Sequence, residues 1–449
     1  MRSKWWGGLA AVLTAAVAVF VAAQPAQAAA GFTVSGTRII DGNGNPFLMR
    51  GVNHAHTWYP TRTASLADIK TLGANTVRVV LASGHRWTKN EAADVTGVIN
   101  QCKANRLICV LEVHDTTGYG EQAGAATLAQ AVDYWISIKS ALAGQENYVI
   151  LNIGNEPYGN GSATASWTAD TKSAITRLRA AGFQHQIMVD APNWGQDWQF
   201  VMRDNAASVF AADPQRNTVF SIHMYGVFDT AAEINDYLGR FQSANLPIVV
   251  GEFGHDHSDG NPDEDTILAT TRRLGIGYLG WSWSGNGGGV EYLDMVTDFN
   301  PARLTSWGQR LFNGADGIKA TAVEATVYSG RPSGSPSVSI SPSTSVPPAG
   351  ACTATYTVTN SWPGGFQGTV TVKAGTAAIT GWTVAWTWAD GQRITNSWNA
   401  AVTASGNTVT ARNAGYNGTL AAGAEASWGF TASRSAANTV PAPVTCTVA

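Results

Sequence analysis

Eight short runs rich in β-branched and aromatic residues, at 47–53, 76–82, 108–114, 148–153, 186–190, 219–225, 247–252 and 277–283, recur through the first two thirds of the chain. Between them, stretches at 65–72, 91–104, 127–142, 165–181, 230–242 and 263–274 place apolar residues at helical spacing. Strands whose apolar residues run on without alternating are buried on both faces, as parallel strands covered by helices are. Eight such units close as a (β/α)8 barrel, and that α/β fold is the expectation here. An open doubly wound sheet competes, but it wants a glycine-rich phosphate turn after an early strand, and none is found.

A barrel gathers the polar residues that end its strands at one mouth. Arg78 lies in the second run, His114 ends the third, Asn155 and Glu156 follow the fourth, His223 and Tyr225 end the sixth, Glu252 ends the seventh and Trp281 lies in the eighth. Any one of these alone reads as a satisfied structural residue. Recurrence on six strands points instead to a site. Glu156 stands near the end of YVILNIGNEP and Glu252 near the end of IVVGEFG, so two carboxylates stand at strand ends, the arrangement of paired-carboxylate chemistry.

Arg2 and Lys4 precede an apolar stretch at 9–23, and Ala26-Gln27-Ala28 supplies the small residues that a signal peptidase cuts. Residues 1–28 therefore read as an export leader, and the protein as secreted. A membrane anchor is the weaker reading, because the run is short for a bilayer and gives way to Gln24, Pro25 and Gln27. The leader takes only Arg2 and Lys4 from 28 basic and 31 acidic side chains, which leaves a mildly acidic chain with no footprint for nucleic acid. Seventeen Trp among only 13% charged residues favour a neutral, polar, flat-faced ligand. Carbohydrate fits, since pyranose C–H faces lie on aromatic rings while the rim hydroxyls seek hydrogen bonds.

Residues 330–350 (GRPSGSPSVSISPSTSVPPAG) hold too few apolar groups to bury and too many prolines for a helix or central strand, so they read as a linker. They divide a catalytic piece, 29–329, from a tail, 351–449. The tail reads as short Thr- and Val-rich strands broken by Gly-containing turns, the pattern of a β-sandwich. Cys352 and Cys446 bracket it and are expected to form a disulfide between its first and last strands. Cys102 and Cys109 read as a local disulfide, with two free thiols as the alternative.

The ordered motifs RGVN at 50–53, NTVRVV at 75–80, EVHD at 112–115, NEP at 155–157, HMY at 223–225, GEFG at 251–254 and GWSW at 280–283 resemble glycoside hydrolase family 5. EVHDTTGYGE and GWSWSGNGGG are most similar to its actinobacterial β-1,4-mannanases. The resemblance implies a retaining endo-β-1,4-mannanase acting on mannan, galactomannan and glucomannan as a monomer, with no required cofactor. An endo-β-1,4-glucanase of the same family is the alternative. It implies Glu156 as acid/base, Glu252 as nucleophile, and Arg78 and Tyr225 as donors to the nucleophile. Asn155 would bind the sugar 2-hydroxyl, His114 and His223 would contact or support the sugar, and Trp281 would lie beneath it. His54 or His56 would match the first-strand histidine of the family, and Trp58, Trp87, Trp194 and Trp198 are either outer sugar platforms or core. The tail resembles carbohydrate-binding module family 2, which implies a strip of Trp362, Trp398 and Tyr416 for insoluble cellulose or mannan, while alternation turns Trp382 inward.

The acidic stretch 256–265 (DHSDGNPDED) reads as a solvated loop or helix start. A structural Ca2+ held by Asp259, Glu264 and Asp265 is the minority reading. His255 and His257 as transition-metal ligands rank lower still, for want of a third ligand.

Overall fold

A computed structural model describes residues 31–329 and 352–448, apart from Pro363, Ala389, Gly406, Gly415, Tyr416, 435–437, Thr439, Val440, Ala442 and Pro443. The leader, the linker and Tyr416 thus lie outside the described residues. The chain divides into two compact units.

In the first unit, eight parallel strands close into a barrel: β1 (Arg50–His54), β2 (Thr76–Leu81), β3 (Ile108–Val113), β4 (Val149–Asn152), β5 (Ile187–Asp190), β6 (Thr218–Met224), β7 (Ile248–Phe253) and β8 (Gly277–Gly280). Strand β8 pairs with β1 through Tyr278 and Arg50, which removes any free edge. The strands overlap the eight expected runs with one correction. Pro46–Phe47 belongs to a small antiparallel sheet with Thr33–Ser35 and Arg38–Ile40, so the first barrel strand starts only at Arg50.

That small sheet plugs the barrel's lower end. Phe32, Ile39, Phe47 and Met49 pack against Val110, Ile150, Met188, Val219, Val249 and Leu279, an apolar floor inside the barrel. Period-two alternation then carries the same inward face upward into polar residues. On β3 the inward series is Ile108, Val110, Glu112, and on β6 it is Val219, Ser221, His223. The lower half of the barrel is therefore core, and the upper half a polar site.

The outward residues pack under the helical ring. Helix Ala92–Ala104 buries Val95, Val98, Ile99 and Cys102, positions spaced as one helical face. The pattern at 127–142 is broken at Ile138 into Leu128–Ser137 and Lys139–Leu142. Three further helices, Val201–Ala212, Ser306–Asn313 and the short Ile318–Thr321, lie where no helix was expected. The first is rich in alanine and buries only Met202, Ala206 and Val209, so its apolar stripe is thin. Cys102 and Cys109 are bonded, tying helix Ala92–Ala104 to β3.

The second unit is a sandwich of two antiparallel sheets. One is ordered β9 (Cys352–Trp362), β10 (Gly365–Ala374), β15 (Glu425–Ser433), β12 (Arg393–Trp398); the other is β13 (Ala400–Ser405), β14 (Thr408–Asn413), β11 (Trp382–Thr387), β16 (Thr445–Val448). Trp382, Trp386, Trp388, Trp428, Phe366 and Phe430 fill the space between the sheets. Cys352 on β9 is bonded to Cys446 on β16, joining one sheet to the other.

Candidate active site

Arg78 projects from β2 into the polar half of the barrel and is fully buried there. Its Nη1 donates to Glu252 Oε1 at 2.6 Å and to Asn53 Oδ1 at 2.9 Å. Its Nη2 donates to Asn155 Oδ1 at 2.7 Å and Asp190 Oδ2 at 2.9 Å, and its Nε to Asn152 Oδ1 at 2.8 Å. Burial would lower the guanidinium pKa, but Asp190, Glu112 and Glu252 outweigh it and raise the value. The barrel centre thus carries a fixed cation with every N–H aimed.

Glu252 owes its direction to a bulge in β7. Val249 pairs with Ser221 and Val250 with Ile222, but Glu252, not Gly251, pairs with His223. The extra residue shifts the alternation by one and turns Glu252 inward, which is how bulges re-aim side chains. Glycine suits the extra position, because a Cβ on Gly251 would stand 2.1 Å from Ser221 Oγ and would have to displace that hydroxyl. The second carboxylate oxygen of Glu252 accepts from Tyr225 Oη at 3.0 Å. Burial raises the Glu252 pKa; His223 and Arg78 pull against that, and Glu156 adds to it.

Glu156 follows β4 in a left-handed backbone conformation, φ 40°, which a side chain adopts only where its surroundings impose it. His223 Nδ1 stands 2.8 Å from Glu156 Oε1 and 3.6 Å from Glu252 Oε2, and its Nε2 lies 3.3 Å from Asp190. Burial disfavours the imidazolium, but Glu252 and Asp190 more than offset it and push its pKa up to about 10. The protonated ring thus donates from Nδ1 to Glu156. Asp190, whose burial Arg78 and His223 outweigh, is held at about 2. One oxygen of Glu156, one of Glu252 and a nitrogen of His223 all lie within 4.8 Å of one another.

Asn155 donates from Nδ2 to Thr117 Oγ1 at 2.8 Å, which leaves its second N–H for a ligand. His114 opens a turn just past β3 and holds Glu112 Oε1 at 3.0 Å, while its ring stacks on Trp281 with centroids 5.6 Å apart. Trp58 meets both His114 and Trp87 edge-on. Two openings flank the carboxylates. One, of about 260 Å³, is lined by Glu156, Trp194, Trp198, Tyr225, His257 and Asp259; the other, of about 290 Å³, by Trp58, Tyr59, Trp281 and Asn286.

Every barrel residue expected at the mouth is brought to it. His54 and His56 are not equivalent: His56 bonds Asp94 at 3.1 Å, whereas His54 is buried with Nδ1 unpartnered, and burial followed by His56 drives its pKa down to about 3. The carboxylates considered for calcium are not gathered. Asp259 faces the cleft and accepts from His257, Gln196 and Gly226, while Asp265 pairs with Arg310. His255 bonds Tyr292 O at 2.9 Å and His257 bonds Asp259, so those histidines do not converge either.

Four residues around Arg78 were not anticipated: Asn53, Glu112, Asn152 and Asp190. The signal available for them was alternation, since each is the inward residue after an apolar one on its strand. Asp115 was also missed. Its buried carboxylate accepts from the backbone N–H of Ser83 at 2.8 Å and of Arg86 at 2.6 Å, pinning the loop that carries Trp87.

In the second unit, Trp362 and Trp398 are 40% and 38% exposed, while Trp382, Trp386 and Trp388 are buried. Both exposed rings lie against glycines of one sheet: a Cβ on Gly365 would meet Trp362 at 2.4 Å, and one on Gly429 would meet Trp398 at 2.4 Å. The neighbours Phe366, Trp428 and Phe430 point into the core, so both rings lie on the outer face.

A closed parallel barrel with two carboxylates facing one another at its mouth is an arrangement suited to a glycoside hydrolase. Residues 40–287 match the family described as Cellulase (glycosyl hydrolase family 5), and the chain belongs to that family. Residues 352–449 match the family described as Cellulose binding domain. The chain is 66% identical over 310 residues to mannan endo-1,4-beta-mannosidase of Streptomyces lividans, covering 69% of this chain and 80% of that one. It is 54% identical over 312 residues to the mannan endo-1,4-beta-mannosidase of Cellvibrio japonicus, covering 69% and 72%. The crystal structure of beta-mannanase from Streptomyces thermolilacinus with mannohexaose is 63% identical, with TM-score 0.66 over 67% of this chain and 99% of that one.

Proposed function

We propose that the chain is a secreted, retaining endo-β-1,4-mannanase that cleaves internal bonds of mannan, galactomannan and glucomannan. The observation that carries the mechanism is the Glu156–Glu252 approach, within 4.8 Å between carboxylate oxygens. Retaining enzymes bring their carboxyl groups to roughly 5 to 5.5 Å, whereas inverting ones leave room for a water between them. The names of its relatives support mannan as the substrate.

Glu252, fixed by Arg78 and Tyr225, attacks the anomeric carbon as Glu156, in its acid form, gives its proton to the departing oxygen. The glycosidic bond breaks and a glycosyl ester forms on Glu252. Glu156 then takes a proton from water, whose oxygen attacks the same carbon, releasing the sugar and restoring both carboxyls. Asn155 offers its free N–H to the 2-hydroxyl, and Trp281 stacks beneath the ring. No cofactor enters these steps. The outer face of the sandwich, with Trp362 and Trp398, would hold the enzyme on insoluble cellulose or mannan.

Reducing-sugar release from galactomannan against carboxymethylcellulose tests the substrate. Faster cleavage of the cellulose derivative transfers the reading to an endo-β-1,4-glucanase. Glu156→Gln is expected to lower kcat on galactomannan by about 10² to 10⁴ while leaving oligosaccharide binding intact.

A further inference from the structure

Beside the opening lined by Glu156 lies a groove of about 440 Å³ that takes no part in the catalytic geometry. Phe200, Val227, Phe228 and Tyr237 form its apolar floor, and Glu233 and Asp236 stand on its rim. Trp198 and Val227 line both cavities. The indole of Trp198 is 47% exposed and donates from Nε1 to Asn160 Oδ1 at 2.7 Å, so it forms the sill between them. Phe200 is 40% exposed and belongs to the groove alone.

The segment that presents these rings is strained. Asn193, Trp194, Asp197 and Phe200 all hold positive φ, at 57°, 55°, 48° and 59°. For the bulky Trp194 and Phe200 that conformation costs roughly 1–2 kcal/mol each, while Asn193 and Asp197 adopt it more readily. The segment is retained because the buried carboxylate of Asp197 accepts from the backbone N–H of Met202 and of Arg203, both at 2.9 Å, and from Tyr237 Oη at 2.5 Å. The Arg203 guanidinium lies over the Phe200 ring, 3.6 Å from its centroid, which steadies that ring while leaving it 40% exposed. Strain held by a buried anchor, with the Trp198 indole and part of Phe200 presented to solvent, suits a preorganised ligand surface.

We propose that the substrate cleft continues over Trp198 into this groove, which takes a further β-linked hexose unit of the same polysaccharide chain. The inference rests on the mannanase reading. A sugar ring lies on Phe200 and the floor, and its hydroxyls donate to the remaining oxygens of Glu233, whose Oε2 accepts from Thr230 at the helix start, and of Asp236, whose Oδ1 accepts from Arg240 Nε at 3.0 Å. An apolar floor with two acceptors on its rim suits a neutral, hydroxyl-rich ring. Continuity with the catalytic opening makes that ring part of the chain being cut, not a separate ligand.

The test compares wild type and Phe200→Ala on mannotetraose and mannohexaose. Phe200 touches none of the catalytic groups, so kcat/KM on the tetraose should stay within about twofold, while that on the hexaose should fall about three- to tenfold. Phe200→Gly, which removes the ring and relaxes the left-handed backbone, should give the same length-dependent loss and covers a failure of the alanine variant to fold. Equal loss on both oligosaccharides, or none on either, overturns the proposal. A self-association of the wild type that the variants abolish, with kinetics unchanged, would assign the groove to a second copy and also overturn it. If the wild type cleaves neither oligosaccharide, the mannanase reading fails before any variant is compared, and the proposal falls with it.

Discussion

The catalytic geometry turns on one residue without a side chain. Gly251 lets β7 gain a residue against β6, and that gain is what faces Glu252 toward Arg78 and Tyr225. Gly251→Ala is expected to drive Cβ against Ser221 Oγ, costing about 1–3 kcal/mol of stability and lowering kcat through misaimed Glu252. Ser221→Gly in the same chain should restore much of both, measured by thermal melts and initial rates on soluble galactomannan. His223 sets a second residue-scale expectation. Its pKa rises from 6.5 to about 10 on folding, so its contribution is fully present below about pH 6.5 and is lost as pH climbs through about 10. Urea unfolding at pH 7 and pH 10 should show wild type losing several kcal/mol over that interval, and His223→Gln losing distinctly less. Equal pH slopes in the two proteins would mean that His223 is neutral in the folded state.

Among the elements, the strands were readable and their ends were not. Runs of apolar and aromatic residues marked the barrel strands, Val- and Ile-rich in Thr76–Leu81, Ile108–Val113 and Ile248–Phe253 and carried by Tyr278 and Leu279 in Gly277–Gly280, because strands covered on both faces are mostly apolar. The bulge left no such trace, since IVVGEF reads as an uninterrupted strand until its pairing with β6 is seen. Helix Val201–Ala212 escaped because three buried residues among alanines make a weak stripe. The paired glutamates were legible from position alone. Asp190, Asn152 and Asn53 were not, because single polar residues inside apolar runs acquire meaning only when Arg78 is seen to reach them all. In the sandwich, alternation correctly sent Trp382 inward, and Trp386 and Trp388 follow it. Trp398→Ala is expected to weaken adsorption to insoluble cellulose or mannan by about tenfold while hydrolysis of soluble substrate stays unchanged. Equal loss of both activities would contradict that division of labour.

At the scale of the whole molecule, each unit has its own core: one built on the barrel and its helices, the other on the tryptophans between two sheets. A chain ending at residue 329 is therefore expected to fold and to hydrolyse soluble galactomannan at the full chain's rate, while failing to sediment with cellulose. A large drop in its melting temperature would reveal dependence on the second unit. The two indoles resting on Gly365 and Gly429 carry a last consequence. Backed by sheet instead of swinging on free side chains, they have almost no rotational freedom to lose when a ligand arrives, so a surface that already matches them binds at little entropic cost. A loose, twisting chain in solution must first be flattened. Such a reader sorts polysaccharides by stiffness before chemistry, and it would leave the barrel to find its own sugar among whatever soft chains lie near the rigid ones.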